Sequence, residues 1–122
     1  MNTDYQISEE DNLYRRFPLS DEPKYSVFWK IENGQKIPSS AAFKTKKEED
    51  GLSVDIEKLT TPEKSCGNNN EYGLVSFGAI IPLEKEYICI HNPTKDNSAH
   101  ALIVGDTNKI AKKLSKAAKR IL

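Results

Sequence analysis

The sequence predicts an α+β fold, a mostly antiparallel, twisted sheet of five or six strands with an amphipathic helix at its C-terminal end. Three observations predict it. Leu52-Ser53-Val54-Asp55-Ile56 alternates apolar and polar residues with the two-residue period of a half-buried strand. Leu74 to Ile81 is apolar at successive positions, as in a central strand covered on both faces. Ile110, Leu114, Ala118 and Ile121 recur at helical spacing behind a capping Asp106 or Thr107. A closed, barrel-like sheet is the alternative, since several strands are short and Gly78 is placed to bend one of them.

Taken in order, residues 1–11 read as an acidic, flexible arm carrying Asp4, Glu9, Glu10 and Asp11, and residues 12–122 as a single α+β domain. Leu13 to Phe17 is the first strand, ended by Pro18, and Ser20-Asp21-Glu22-Pro23 is turn-rich. Tyr25 to Ile31 then puts Tyr25, Val27, Trp29 and Ile31 on one strand face, with Trp29 largely buried. Asn33-Gly34 marks a tight turn because both residues tolerate positive φ. Ser39 or Ser40, just after Pro38, is placed to cap a single helical turn. Lys44 to Gly51 is a charged loop. Thr61-Pro62 has the form of an N-cap followed by proline at the first helical position, and Cys66-Gly67-Asn68 stops that helix early. Further strands are expected at Leu74–Ile80, Tyr87–Ile90 and Ala101–Val104, with Phe77 buried and Pro82 to Lys85 turning the chain. Asn92 to Ser98 is a long hairpin loop, and a helix is expected from Asn108 to Arg120.

Composition narrows the class. The chain is 37% hydrophobic and 30% charged, ordinary for a globular domain. It holds no apolar run near the roughly 20 residues that span a membrane, and the polar Met1 to Asn12 is no secretory signal. The two cysteines, Cys66 and Cys89, have no Cys-x-x-Cys spacing, and no Asn-x-Ser/Thr acceptor occurs. These features predict a cytoplasmic protein with free thiols and no zinc or other metal. Neither a Walker sequence nor Gly-x-Gly-x-x-Gly is present, so no cofactor is expected.

The net charge is zero, but its distribution is uneven. Lys109, Lys112, Lys113, Lys116, Lys119 and Arg120 lie in a C-terminal segment without acidic residues, which suits a nucleic acid or an acidic protein partner. The plain alternative is a solvated face on a core-packed helix. His91 and His100 stand at the two ends of the hairpin loop, where a histidine does acid–base work or satisfies loop backbone. Of Arg15 and Arg16, only one can point inward, and an inward arginine needs a partner or an anion. Ser39 and Ser40 have neither a Gly-x-Ser-x-Gly elbow nor a Ser-x-x-Lys motif around them.

Three segments then stand out: Pro38-Ser39-Ser40-Ala41-Ala42-Phe43, Gly51-Leu52-Ser53-Val54-Asp55, and Asn97-Ser98-Ala99-His100-Ala101. They resemble a group of small, uncharacterised bacterial proteins with Pro-Ser-Ser-x-Ala-Phe, Gly-Leu-Ser-Val-Asp and Asn-x-Ala-His-Ala segments. The resemblance runs from about Leu13 to Ile121. It implies Ser39, Ser40, Ser53, Asp55 and His100 as motif positions, and no activity. The reading favoured at this point is a binding or accessory protein acting through a protein or nucleic-acid partner on the basic helix. The alternative is a small enzyme acting on a nucleotide or RNA phosphate, with His100 as acid or base, Asp55 orienting it, Ser39 or Ser40 binding substrate and Arg16 binding phosphate. A toxin- or antitoxin-like element is a third reading, by analogy alone.

Overall fold

The computed structural model describes residues 5–122. The acidic arm expected over 1–11 therefore lies in part outside the described residues. Strands β1 (Asn12–Pro18), β4 (Gly51–Ile56), β5 (Tyr72–Gly78), β6 (Cys89–His91), β7 (His100–Val104) and β8 (Lys119–Arg120) form one sheet in the order β6-β7-β4-β1-β5-β8. A separate hairpin pairs β2 (Trp29–Glu32) with β3 (Gln35–Pro38). Among the described residues every strand pairing is antiparallel. The sheet is open, which corrects the barrel-like alternative. Its two edge strands are only three and two residues long, too short to zip a barrel shut.

The period-2 reading of β4 holds. Leu52, Val54 and Ile56 are buried, Ser53 is exposed and Asp55 half-buried. The same face takes Leu13 and Phe17 from β1, Val75 and Phe77 from β5, and Ala101 and Ile103 from β7. A 3-10 turn, Ser40–Phe43, and the helix α4 (Ala111–Ala117) cover it with Ala42, Phe43, Ala111 and Leu114. Each such large apolar side chain contributes about 1.5–3 kcal/mol through burial. β5 is covered on both faces as expected, since Leu74 packs with Tyr14 and Cys66 on the far side.

Four expectations need correction. The stretch from Tyr25 is not one strand, because Pro23 opens a short helix, α1 (Pro23–Ser26), and leaves Tyr25, Val27 and Ile31 exposed. Trp29, in the strand that follows, is partly buried against the core. Its indole N–H donates to the Ser20 carbonyl at 2.8 Å, and the Lys36 ammonium lies 4.1 Å from its ring. β5 stops at Gly78, where Ala79 turns helical and α3 (Ile80–Glu84) begins, with Pro82 in the first turn where its missing N–H costs nothing. The C-terminal helix is shorter than Asn108–Arg120. The chain leaves it at Ala118, and Lys119 and Arg120 pair with Ser76 and Val75 on the free edge of β5. Asp106 and Thr107 do not cap it. The Asp106 carboxylate accepts from the Asn108 N–H at 2.8 Å, and the buried Thr107 hydroxyl donates to the Phe43 carbonyl at 2.5 Å. Other turn chemistry holds: Asn33 and Gly34 both take positive φ, and the Thr61 hydroxyl caps α2 (Pro62–Cys66) by accepting from the Lys64 N–H.

Asp11, at 1% exposure, ties the chain ahead of β1 to the core. Its carboxylate accepts from the Tyr5 hydroxyl at 2.6 Å and the Ser8 N–H at 2.8 Å, with the Lys58 ammonium 3.5 Å away. Burial alone pushes its pKa up, but the two hydrogen bonds and Lys58 outweigh that and hold it below the ordinary 3.8. A lowered carboxylate pKa stabilises the fold above the ordinary value, and that contribution is lost as pH falls through the lowered one. Asp11→Asn is therefore expected to cost about 1–2 kcal/mol at neutral pH. Below about pH 4 its stability should converge on that of the wild type. Urea melts across that range check this, and parallel stability curves would contradict it.

Candidate functional site

The face of the sheet opposite Leu13, Val54 and Ala101 carries a polar groove of about 720 Å³. Register builds it. Tyr14 pairs with Asp55 and Asp55 with His100, so these three form one row across β1, β4 and β7. Ser53 and Arg16 share the phase of that row and also line the groove. Lys64 and Ser65 of α2 form one wall, and Asp96, Asn97 and Ser98 of the hairpin loop form the other. Asp55 braces both, accepting from the Ser65 hydroxyl at 2.7 Å and from the Asn97 amide at 2.9 Å.

His100 is half-buried at the foot of the loop wall. Its Nδ1 lies 2.8 Å from the Asn92 carbonyl, which can only accept, so Nδ1 carries the proton. In the neutral ring Nε2 is then a bare acceptor, and the Ser53 hydroxyl, 3.2 Å away, donates to it. The contact that orients the ring comes from the Asn92 carbonyl, while Asp55 is engaged with Ser65 and Asn97. His91 is spent differently: its Nε2 lies 2.7 Å from the Ser98 carbonyl, and its ring meets Tyr5 edge-on.

Arg15 is the inward arginine, sharing the side of β1 that bears Leu13 and Phe17. It forms no ion pair among the described residues. Its Nε donates to the Ala42 carbonyl at 2.9 Å and its Nη1 to the Ser53 carbonyl at 2.8 Å, in the gap where β1 and β4 part. Burial lowers its pKa to about 10, with Glu49 acting in the opposite sense, so it remains charged at neutral pH. Arg16 lies 4.2 Å from the Tyr72 ring and donates to the Cys66 carbonyl. The groove thus holds two cations on its own face, Arg16 and Lys64, and borders Arg15 at the gap between β1 and β4, against two carboxylates, Asp55 and Asp96.

The structure brings together His100, Asp55 and Arg16, and not Ser39 or Ser40. The Ser39 hydroxyl donates to the Val27 carbonyl at 2.6 Å, and Ser40 opens the 3-10 turn. The basic segment is divided. Lys112, Lys113 and Lys116 lie on α4, Lys109 in the turn before it, and Lys119 and Arg120 on β8. Arg120 is consumed by the Leu122 and Lys36 carbonyls and by the Phe17 ring. Cys66 and Cys89 are free, and burial pushes both thiols up, Cys89 to about 11, so neither is a thiolate nucleophile at neutral pH. Among the described residues no cluster of His, Cys, Asp or Glu is placed to hold a metal, and no helix is long and apolar enough to cross a membrane.

Sequence reasoning reached Arg15 only as one of two candidates and missed Lys64, Ser65 and Asn97 altogether. No protein-family model, curated protein or solved structure matches the chain.

Proposed function

We propose that the groove binds a phosphate-bearing small molecule and that His100 does acid–base work on it. The observation that carries this is the shared face of Arg16, Ser53, Asp55 and His100, with the Nε2 lone pair of His100 turned toward the groove. An anionic ligand suits Arg16 and Lys64 on the groove face, with the charged Arg15 adding positive potential from behind the Ser53 carbonyl. A histidine whose tautomer is held by a carbonyl is set to take and return one proton at one atom. The basic C-terminal segment supports a nucleic-acid surface less well, because its charges are split between a helix, a turn and a strand and Arg120 is already engaged.

Titration with inorganic phosphate, pyrophosphate and a panel of nucleotides, followed by NMR and calorimetry, tests this. At least one should shift the signals of Ser53 and His100. Arg16→Ala should weaken binding about tenfold or more, the scale of one charged hydrogen bond, with little change in melting temperature. No shift of groove signals by any of them at millimolar concentration would overturn the reading.

A further inference from the structure

We infer that Ser53 is a nucleophile activated by His100, and that it forms a covalent seryl–phosphate with a phosphate ester bound in the groove. The inference rests on the reading of that groove as a phosphate-ligand site, and adds the substrate class and the attacking atom. The first ground is the direction of the Ser53–His100 hydrogen bond. In the neutral ring, with the Nδ1 proton held on the Asn92 carbonyl, the Ser53 hydroxyl donates to Nε2, which is the polarity a serine needs to lose its proton on attack.

The second ground is selectivity among the groove hydroxyls. Ser65 donates to Asp55, Tyr14 lies 3.3 Å from the Glu57 carboxylate, Thr60 points to the Thr61 carbonyl, and Ser98 meets the His91 ring through its backbone carbonyl and not its hydroxyl. Ser53 alone among these is paired with an imidazole, and it is exposed at the open face. The third ground is placement. Ser53 sits on a strand held between β1 and β7, and Arg15 fixes its carbonyl, which sets a guanidinium beside the nucleophile's own backbone.

The chemistry balances with water as the one co-reactant. Ser53 Oγ attacks phosphorus as its proton passes to Nε2. The P–O bond to the leaving alcohol breaks, and that proton goes to the departing oxygen. Water then attacks the seryl–phosphate and gives a proton to Nε2. The Oγ–P bond breaks, and Oγ takes the proton back. Nδ1–H stays on the Asn92 carbonyl throughout.

A fluorophosphonate probe on the full chain tests the nucleophile directly, since Oγ displaces fluoride to give a stable adduct seen by intact mass and peptide mapping. One adduct on Ser53 is expected. Ser53→Ala should abolish it, and Ser115→Ala, on α4, should label as the wild type does. His100→Asn keeps a donor for the Asn92 carbonyl but lacks the Nε2 base, so it should fold, as checked by a melt, and label at least tenfold more slowly. Absence of a Ser53 adduct, or labelling of His100→Asn at the wild-type rate, overturns the inference and leaves a surface hydrogen bond only. If phosphate ligands still bind in an Arg16-dependent way, the groove reading survives that loss, and if they do not, both fall together.

Discussion

Phe43→Ala is expected to lower stability by about 3–5 kcal/mol, the range for emptying a buried aromatic site. At about 4 °C per kcal/mol for a chain of this size, the melting temperature should fall by about 12–20 °C. Phe43 is fully buried between the sheet and α4, with its ring 5.9 Å from that of Phe77 in an edge-to-face arrangement. Its backbone is equally committed, because its carbonyl accepts from the buried Thr107 hydroxyl. The neighbouring Ala42 carbonyl holds Arg15, which holds Ser53. Loosening this turn should therefore reach the groove, and binding there should weaken even at temperatures where the variant is folded. Phe43→Leu keeps most of the apolar volume and should cost about 1–1.5 kcal/mol. Chemical denaturation of both variants checks this, and a loss below about 1 kcal/mol for Phe43→Ala would mean that the turn does not seal the core.

The parts of the fold legible in the sequence are those where one local signal met no competitor. The alternation of β4 identified Leu52, Val54 and Ile56 as buried, and thereby placed Ser53 and Asp55 on the other face. Asn33-Gly34 and Thr61-Pro62 carried their own turn and cap chemistry. Arg15 and Arg16 stayed an open pair, since the choice rests on which face of β1 meets the core and nothing local names carbonyls as partners of the inward one.

Where the reading failed, tertiary structure overrode a local period. The helical spacing that ends at Ile121 continues in the sequence, but the free edge of β5 offers hydrogen bonds that the last helical turn cannot match. The Ile121 N–H accordingly donates to the Leu74 carbonyl at 2.7 Å. Pro23 nucleated a helical turn inside an otherwise strand-like run. The site was the least legible part, because it depends on register. Asp55 and His100 are adjacent only because β4 and β7 pair in one alignment, and a one-residue slip would send either side chain to the core face. The pairing of Ser53 with His100 follows from that alignment and from the Asn92 carbonyl, neither of which is a property of any short segment.

Gly51→Ala probes that alignment directly and is expected to cost about 3 kcal/mol, at the upper end for overpacking. Gly51 opens β4 opposite Val104, and a Cβ there would stand 2.3 Å from the Ile103 carbonyl oxygen and 3.0 Å from the Val104 Cα. Both obstacles are backbone, so no side-chain rotation relieves them, and β4 and β7 must move apart. The movement starts two residues from Ser53 and on the strand that carries His100, so the 3.2 Å contact between them should lengthen. Gly34→Ala is the control, with positive φ and nothing within 4 Å of its Cβ. It loads only the local turn, at about 1–2 kcal/mol, and should leave the groove unaffected. The two variants are separated by NMR. Gly51→Ala should shift the Ser53 and His100 signals and speed amide exchange along β7, whereas Gly34→Ala should confine its changes to the β2–β3 hairpin. A Gly51→Ala variant within about 1 kcal/mol of the wild type, with unshifted groove signals, would mean that β4 and β7 are spaced more widely at this end than their register requires.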